Sequence, residues 1–252
     1  MQRYGLIGRA LGHSFSREHF TRKFQREGLA DHVYDLFELP SIADLPGLLA
    51  THPDLRGLNV TIPYKEAVIP YLTRLDPLAA AVGAVNTVRI NGGELVGHNT
   101  DVHGFRSLLR PVLSGLQEPG SDIRPRALVL GSGGASRAVA YALREAGLRF
   151  RVVSRDRSRG DLTWDLLDPT VVNVCRLIIN TTPLGMHPDV DSLPPLPYEA
   201  IGPKHVLIDL VYNPERTAFL RMGEGRGART VGGLGMLIEQ AEEAWRIWQG
   251  PA

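Results

Sequence analysis

Residues 127–130 read Ala-Leu-Val-Leu, and the next four are Gly131-Ser132-Gly133-Gly134. The run is apolar, ends in clustered glycines and passes into residues with helical spacing, Ala135 to Ala146, closed by Gly147. That is a strand–turn–helix unit. Few folds put a glycine cluster there. The glycines let the backbone turn tightly, and the helix start presents N–H groups and a partial positive charge. This is the setting of a dinucleotide pyrophosphate site. Ser136 stands where the usual fingerprint has its third Gly or Ala, so the match is partial. A plain glycine turn between strand and helix would satisfy the same residues.

The rest of the chain repeats the alternation. After the turn, 150–153, 177–179 and 206–210 read as strands and 234–248 as a long final helix. Before it, 4–7 is a strand. Residues 16–28 form a helix, with Phe20 and Phe24 on one face and Gly28 as its stop. Further strands are expected at 33–39 and 58–62, the latter ending at Pro63. Helices are expected at 41–50, opened by Ser41, and at 64–72, distorted near Pro70. Asn91-Gly92-Gly93 between 85–90 and 94–97 signals a hairpin. Strands alternating with helices predict α/β architecture with mostly parallel sheet covered on both faces. Residues 111–126 collect Pro111, Pro119, Gly120, Ser121 and Pro125 with little periodicity, and mark the expected boundary between two α/β patterns.

The formal net charge is +1, so no global field draws nucleic acid or anionic membrane. One cysteine, Cys175, allows no internal disulfide and reads as a small buried thiol. The first residues lack the apolar core of a signal peptide, and no run is long enough to span a bilayer. A cytoplasmic location is expected. Histidines are scattered, His13 and His98 read as loop groups, and no metal is expected.

Several polar clusters call for chemistry. Asn59 and Thr61 alternate along a strand and so share a face. Lys65 follows in the first turn of a helix, whose positive end disfavours its charged form. Asn86 and the triplet Asn99-Thr100-Asp101 flank the hairpin. Taken singly, these read as turn Asn, solvated Lys and capping Asp. After the strand at 150–153 comes Ser154-Arg155-Asp156-Arg157-Ser158-Arg159. An acidic residue there would accept the ribose hydroxyl of NAD, whereas arginine favours the 2′-phosphate of NADP. Three arginines in five residues favour NADP. Asp156 leaves NAD, or use of both, open.

Together these segments resemble the shikimate dehydrogenase family. The matching stretches are 5–8 with 13–16, 57–65, 83–87, 97–101 with 104–105, 131–136, 180–186, 212–214, and 235–237 with 240–241, in the family's order. The resemblance implies two α/β domains with a cleft between them. One is a substrate domain, 1–101 plus 231–252; the other is a Rossmann-type dinucleotide domain, 102–230. It implies Lys65 and Asp101 as the catalytic pair. Ser14, Ser16, Asn59, Thr61, Asn86, Tyr212 and Gln240 would bind the substrate's carboxylate and hydroxyls. Gly131, Ser132, Gly133, Gly134, Ala135, Ser154, Arg155, Arg159, Thr181 and Gly233 would hold NADP. The activity implied is reversible reduction of 3-dehydroshikimate to shikimate, toward chorismate and the aromatic amino acids, by a monomer or homodimer. The chain departs from the family's pattern at Ser154 (more often Asn), Asp156 (more often Thr) and Arg17 (usually Pro). A quinate/shikimate dehydrogenase using NAD or both cofactors is the nearest alternative. A non-catalytic dinucleotide-binding regulatory protein is a remoter one.

Overall fold

The computed structural model describes residues 1–12, 14–116 and 125–250. His13 and residues 117–124 of the expected boundary tract lie outside the described residues. The chain divides into two units, residues 1–100 with the C-terminal residues from 241, and residues 101–240.

The first unit contains β1 (Gln2–Gly8), α1 (Phe15–Arg26), β2 (His32–Glu38), α2 (Leu45–Thr51), β3 (Leu55–Val60), α3 (Tyr64–Ala67), β4 (Arg74–Leu75), α4 (Pro77–Val82), β5 (Thr87–Asn91) and β6 (Glu94–His98). Its sheet runs β2-β1-β3-β5-β6-β4. Alternation along β1 sends Tyr4 and Leu6 into one core cluster and Ile7 into another, so both faces are covered. Pairing is mostly parallel, as expected, and the antiparallel exceptions are grouped at β5. The hairpin at Asn91-Gly92-Gly93, both glycines at positive φ, returns β6 against β5, and β5 is antiparallel to β3 as well. A tight turn can join only antiparallel neighbours.

Two expected helices are shorter than the pattern suggests. Ser41 builds a capping box with Asp44 over a 3₁₀ turn, Ile42–Asp44, and α2 begins only at Leu45. The helix expected over 64–72 is α3 followed by a separate 3₁₀ turn, Ile69–Tyr71. Pro70, which has no N–H to donate, lies within that turn.

The second unit holds α5 (Asp101–Ser114), β7 (Arg126–Leu130), α6 (Gly134–Glu145), β8 (Arg149–Val153), α7 (Pro169–Val174), β9 (Leu177–Asn180), β10 (Val206–Asp209), α8 (Ala218–Glu224) and β11 (Arg229–Val231), and then the start of α9 (Leu234–Gln249). Its five strands are all parallel, in the order β11-β10-β9-β7-β8. Pro111, expected at a boundary, lies inside α5. From β7 the chain winds one way to β8 and then the other way to β9. The carboxyl ends of β7 and β9 therefore flank a topological switch point, where open α/β sheets place ligands. No helix among the described residues is long and apolar enough to cross a membrane.

The C-terminal part of α9 closes the first unit. Trp248 donates its indole N–H to the Val88 carbonyl (3.0 Å), within a cluster with Tyr4, Phe20, Phe24, Tyr34 and Trp245. Its ring occupies the space a side chain at Gly57 would need. Trp248→Ala should therefore lower unfolding stability by about 3–5 kcal/mol, read from urea midpoints. A loss well under 1 kcal/mol would show that α9 does not hold this sheet.

Candidate functional site

In the first unit the expected substrate residues lie at the start of α1, around the end of β3 and just before β5. Asn59 lies near the end of β3 and is buried. Its carboxamide nitrogen donates to Thr87 Oγ1 (3.2 Å) and the Asn86 carbonyl (3.4 Å), and its oxygen accepts from the Tyr34 hydroxyl (2.7 Å). Ser16, on the first turn of α1, is buried. Ser14 is the N-cap of α1, but its side chain makes no capping bond. Thr61 sits just past β3, where its amide donates to the Ile7 carbonyl (2.9 Å). Its methyl group packs where a side chain at Gly8 would be. Lys65 is half-buried in α3, and its carbonyl accepts from the Val85 amide (2.7 Å), tying α3 to the segment that carries Asn86.

Asn86 fixes the entry to α5. Its side-chain oxygen accepts from the Thr100 amide (2.7 Å), and its nitrogen donates to Thr100 Oγ1 (2.9 Å). Asn99 donates to the Ala84 carbonyl (2.8 Å). Both residues before Asp101 are thus pinned, and Asp101 begins α5 with its side chain buried. Asn86 is therefore more than a turn residue, since its side chain holds Thr100. The other two expected substrate residues lie in the second unit. Tyr212 follows β10 half-buried, and Gln240 on α9 is buried, donating to the Leu237 carbonyl (2.9 Å).

The glycine turn lies at the switch point of the second sheet. Gly131 has φ +110°, and a Cβ there would stand 2.7 Å from Thr181 Oγ1, which itself donates to the Leu130 carbonyl (2.7 Å). The loops after β7 and β9 therefore approach as closely as glycine permits. Gly133 caps α6 in extended conformation with open space around it, and Gly134 and Ala135 start that helix. Ser132 and Ser154 share a hydroxyl bond (2.8 Å), joining the ends of β7 and β8. Arg159 donates to the Ser132 carbonyl (3.1 Å), while Arg155 is exposed beside it in sequence. Asp156 points into its own turn. Its Oδ1 accepts from the Ser158 amide (2.9 Å) and hydroxyl (2.7 Å), which hold its pKa below the ordinary carboxylate value. Open glycines at a helix start and exposed arginines after the next strand fit a dinucleotide carrying an extra phosphate. Gly233 is also obligatory, since a Cβ there would lie 2.5 Å from the Leu210 carbonyl.

One buried network went unread in the sequence. Asp209 ends β10 with no solvent exposure. It accepts from Thr217 Oγ1 (2.6 Å), Asn180 Nδ2 (3.0 Å) and the Val211 amide (3.0 Å). Asn180 in turn accepts from the Thr182 amide (3.0 Å) and hydroxyl (2.6 Å). These bonds set the loops that carry Thr181 and Tyr212. Burial pushes the Asp209 carboxyl up to about 6 despite its three donors. The signal was there: one acid in the otherwise apolar run 206–211. Among the described residues no group of three or more His, Cys, Asp or Glu could hold a metal.

This arrangement has known counterparts. The family model for the shikimate dehydrogenase substrate binding domain matches residues 6–88. A protein from Halothermothrix orenii named shikimate dehydrogenase (NADP(+)) is 38% identical over 268 residues, covering 98% of this chain and 90% of that protein. The crystal structure of a Thermus thermophilus shikimate 5-dehydrogenase in complex with NADP(H) and shikimate superposes with a TM-score of 0.84 at 35% identity, covering 100% of this chain and 94% of that one. A Corynebacterium glutamicum quinate dehydrogenase in complex with NAD gives 0.83 at 31% identity, covering 99% and 94%.

Asp209 makes a pH-dependent contribution that can be measured. Its raised pKa means the folded protein holds this proton more tightly than the unfolded chain does. The contribution to stability is fully present below the ordinary value of 3.8 and is lost as pH rises through about 6. Asp209→Asn keeps the protonated shape and cannot ionise. Its stability relative to the parent should rise across that window by about 3 kcal/mol, read from urea midpoints at several pH values. Parallel curves for the two proteins would show that Asp209 does not titrate there.

Proposed function

The chain belongs to the shikimate dehydrogenase family, and on that footing we propose how its own residues carry the reversible, NADP-dependent reduction of 3-dehydroshikimate to shikimate. The observation that carries the reading is the similarity over nearly the whole chain to proteins named for that activity. The glycine turn and exposed arginines of the second unit support the choice of cofactor. We take the enzyme to be cytoplasmic, a monomer or homodimer, working toward chorismate and the aromatic amino acids. Its partners are small molecules.

Oxidising a ring C–OH to a ketone removes a proton from oxygen and a hydride from carbon. NADP⁺, when bound, supplies the hydride acceptor. The protein must move the proton. We assign that task to Lys65 with Asp101. Lys65 takes the hydroxyl proton in the oxidative direction. In reduction its ammonium donates to the developing alkoxide and stabilises that charge. Asp101, fixed by its pinned predecessors, tunes the lysine. Ser14 and Ser16 are assigned to the substrate carboxylate, and Asn59, Thr61, Asn86, Tyr212 and Gln240 to its hydroxyls and ring. Gly131 to Ala135, with Thr181 and Gly233, hold the dinucleotide backbone. Ser154, Arg155 and Arg159 hold the 2′-phosphate.

A second reading, quinate or NAD use, has Asp156 and the quinate dehydrogenase neighbour in its favour. The Asp156 carboxylate already caps its own turn, which weighs against its reading a ribose. Initial rates with shikimate and quinate against NADP and NAD separate the readings, and shikimate with NADP should be fastest. Lys65→Ala should lower kcat by about two to four orders of magnitude while shikimate still binds. Near-normal turnover would remove Lys65 from the chemistry. Arg155→Ala should weaken NADP far more than NAD in a fluorescence titration, and equal losses would mean that it does not touch the 2′-phosphate.

A further inference from the structure

Asp156 is the one acid among the arginines at 155, 157 and 159, and its polar groups are spent on the turn that carries them. Its amide donates to Ser154 Oγ (3.2 Å), and its carbonyl accepts from the Arg159 amide (3.0 Å). Its Oδ1 accepts from the Ser158 amide (2.9 Å) and hydroxyl (2.7 Å). Asp156 is thereby the N-cap of the 3₁₀ turn Arg157–Arg159.

The turn is anchored on both sides. Ser154, buried just past β8, shares its hydroxyl bond with Ser132, whose carbonyl accepts from the Arg159 side chain. On the return, the Leu162 carbonyl accepts from the Ser154 amide (2.9 Å), and Asp161 Oδ2 accepts from the Val152 amide (2.8 Å). Gly160 is pressed on Ser154, where a Cβ would stand 2.8 Å from the serine's own. Between these anchors residues 155–159 are all exposed. Exposed residues have no core to set their backbone, so the shape of this turn rests on its hydrogen bonds. Like charges this close in sequence repel, and a turn left unheld would let them part. If the arginines were gathered only part of the time, affinity for a phosphate would fall by that fraction.

We propose that Asp156 is a positioning residue for the 2′-phosphate of NADP. As the cap of the arginine turn it holds Arg155 and Arg159 where they meet that phosphate. An acid in the place that ordinarily selects NAD thus serves NADP instead. This rests on the assignment of Arg155 and Arg159 to the 2′-phosphate made above. What matters in Asp156 is the oxygen that caps the turn, and its negative charge is incidental. A neutral side chain that can cap should serve as well, and one that cannot should fail.

Asp156→Asn and Asp156→Ser remove the charge and keep a cap, whereas Asp156→Ala removes both. Affinities for NADPH and NADH are measured by nucleotide fluorescence on the full chain and these variants. Asp156→Asn and Asp156→Ser should bind NADPH at least as tightly as the parent. Asp156→Ala should bind it about fivefold more weakly than Asp156→Asn, the equivalent in affinity of one lost cap, while the two bind NADH alike. Equal NADPH affinity in Asp156→Ala and Asp156→Asn would overturn the proposal. So would loss of both nucleotides in Asp156→Ala, since a cap that serves the 2′-phosphate leaves NADH alone. A fall in NADH affinity with a gain in NADPH affinity across the variants would also overturn it, because that is the signature of a carboxylate reading the ribose. With a parent that prefers NADPH, each of these results overturns the proposal alone. A parent that binds NADPH no more tightly than NADH would remove the cofactor assigned above, and the role of Asp156 with it.

Discussion

A polar group at the buried end of a strand must find its hydrogen-bond partner inside the protein, and that requirement shapes both units. Leaving such a group unpaired costs about 1–3 kcal/mol, a large share of a domain's net stability. Asn59, Asn86, Asn180 and Asp209 all stand at or just beyond the ends of buried strands. Each spends its side chain on backbone or hydroxyl groups of a neighbouring loop. The loops that carry function are held by these bonds more than by any apolar packing of their own.

The two units solve the same problem with different chemistry. In the first, neutral amides and hydroxyls link Tyr34, Asn59, Thr87, Asn86 and Thr100. In the second, a buried carboxylate gathers three donors and fixes the loops after β9 and β10. Beside it, glycines stand where a side chain would meet neighbouring backbone or loops. The arginines after β8 stay exposed at the surface.

Local reading recovered the elements with strong local signatures. Gly131 to Gly134, the Asn91-Gly92-Gly93 hairpin and the strands of β1, β2 and β9 follow from turn chemistry and alternation. The short helices α4, α7 and α8 were missed. α4 and α7 open with Asp-Pro pairs at 76–77 and 168–169, and α8 is capped by Thr217, but six or seven residues give too little periodicity to read. Pro111 was taken as a breaker. The apolar face of α5, from Val102 through Val112, is buried and carries the helix through it. The family resemblance supplied most of the candidate site residues. It had nothing to say of Tyr34 or Asp209, whose hydrogen bonds go to other residues of the chain.

By itself the sequence determined most of the strands, though not the short β4 and β11, and where the glycine turn falls and which polar residues are too clustered for ordinary loops. Those properties are set within a few residues by steric and turn preferences. Only the tertiary structure decided that β5 runs antiparallel to β3, that Asp156 spends its carboxylate on Ser158, and that Tyr34 donates to Asn59. Strand direction, rotamer and hydrogen-bond partner depend on atoms brought together from distant parts of the chain. Asn59 and Tyr34 are 25 residues apart, and no local pattern encodes which of them gives the proton.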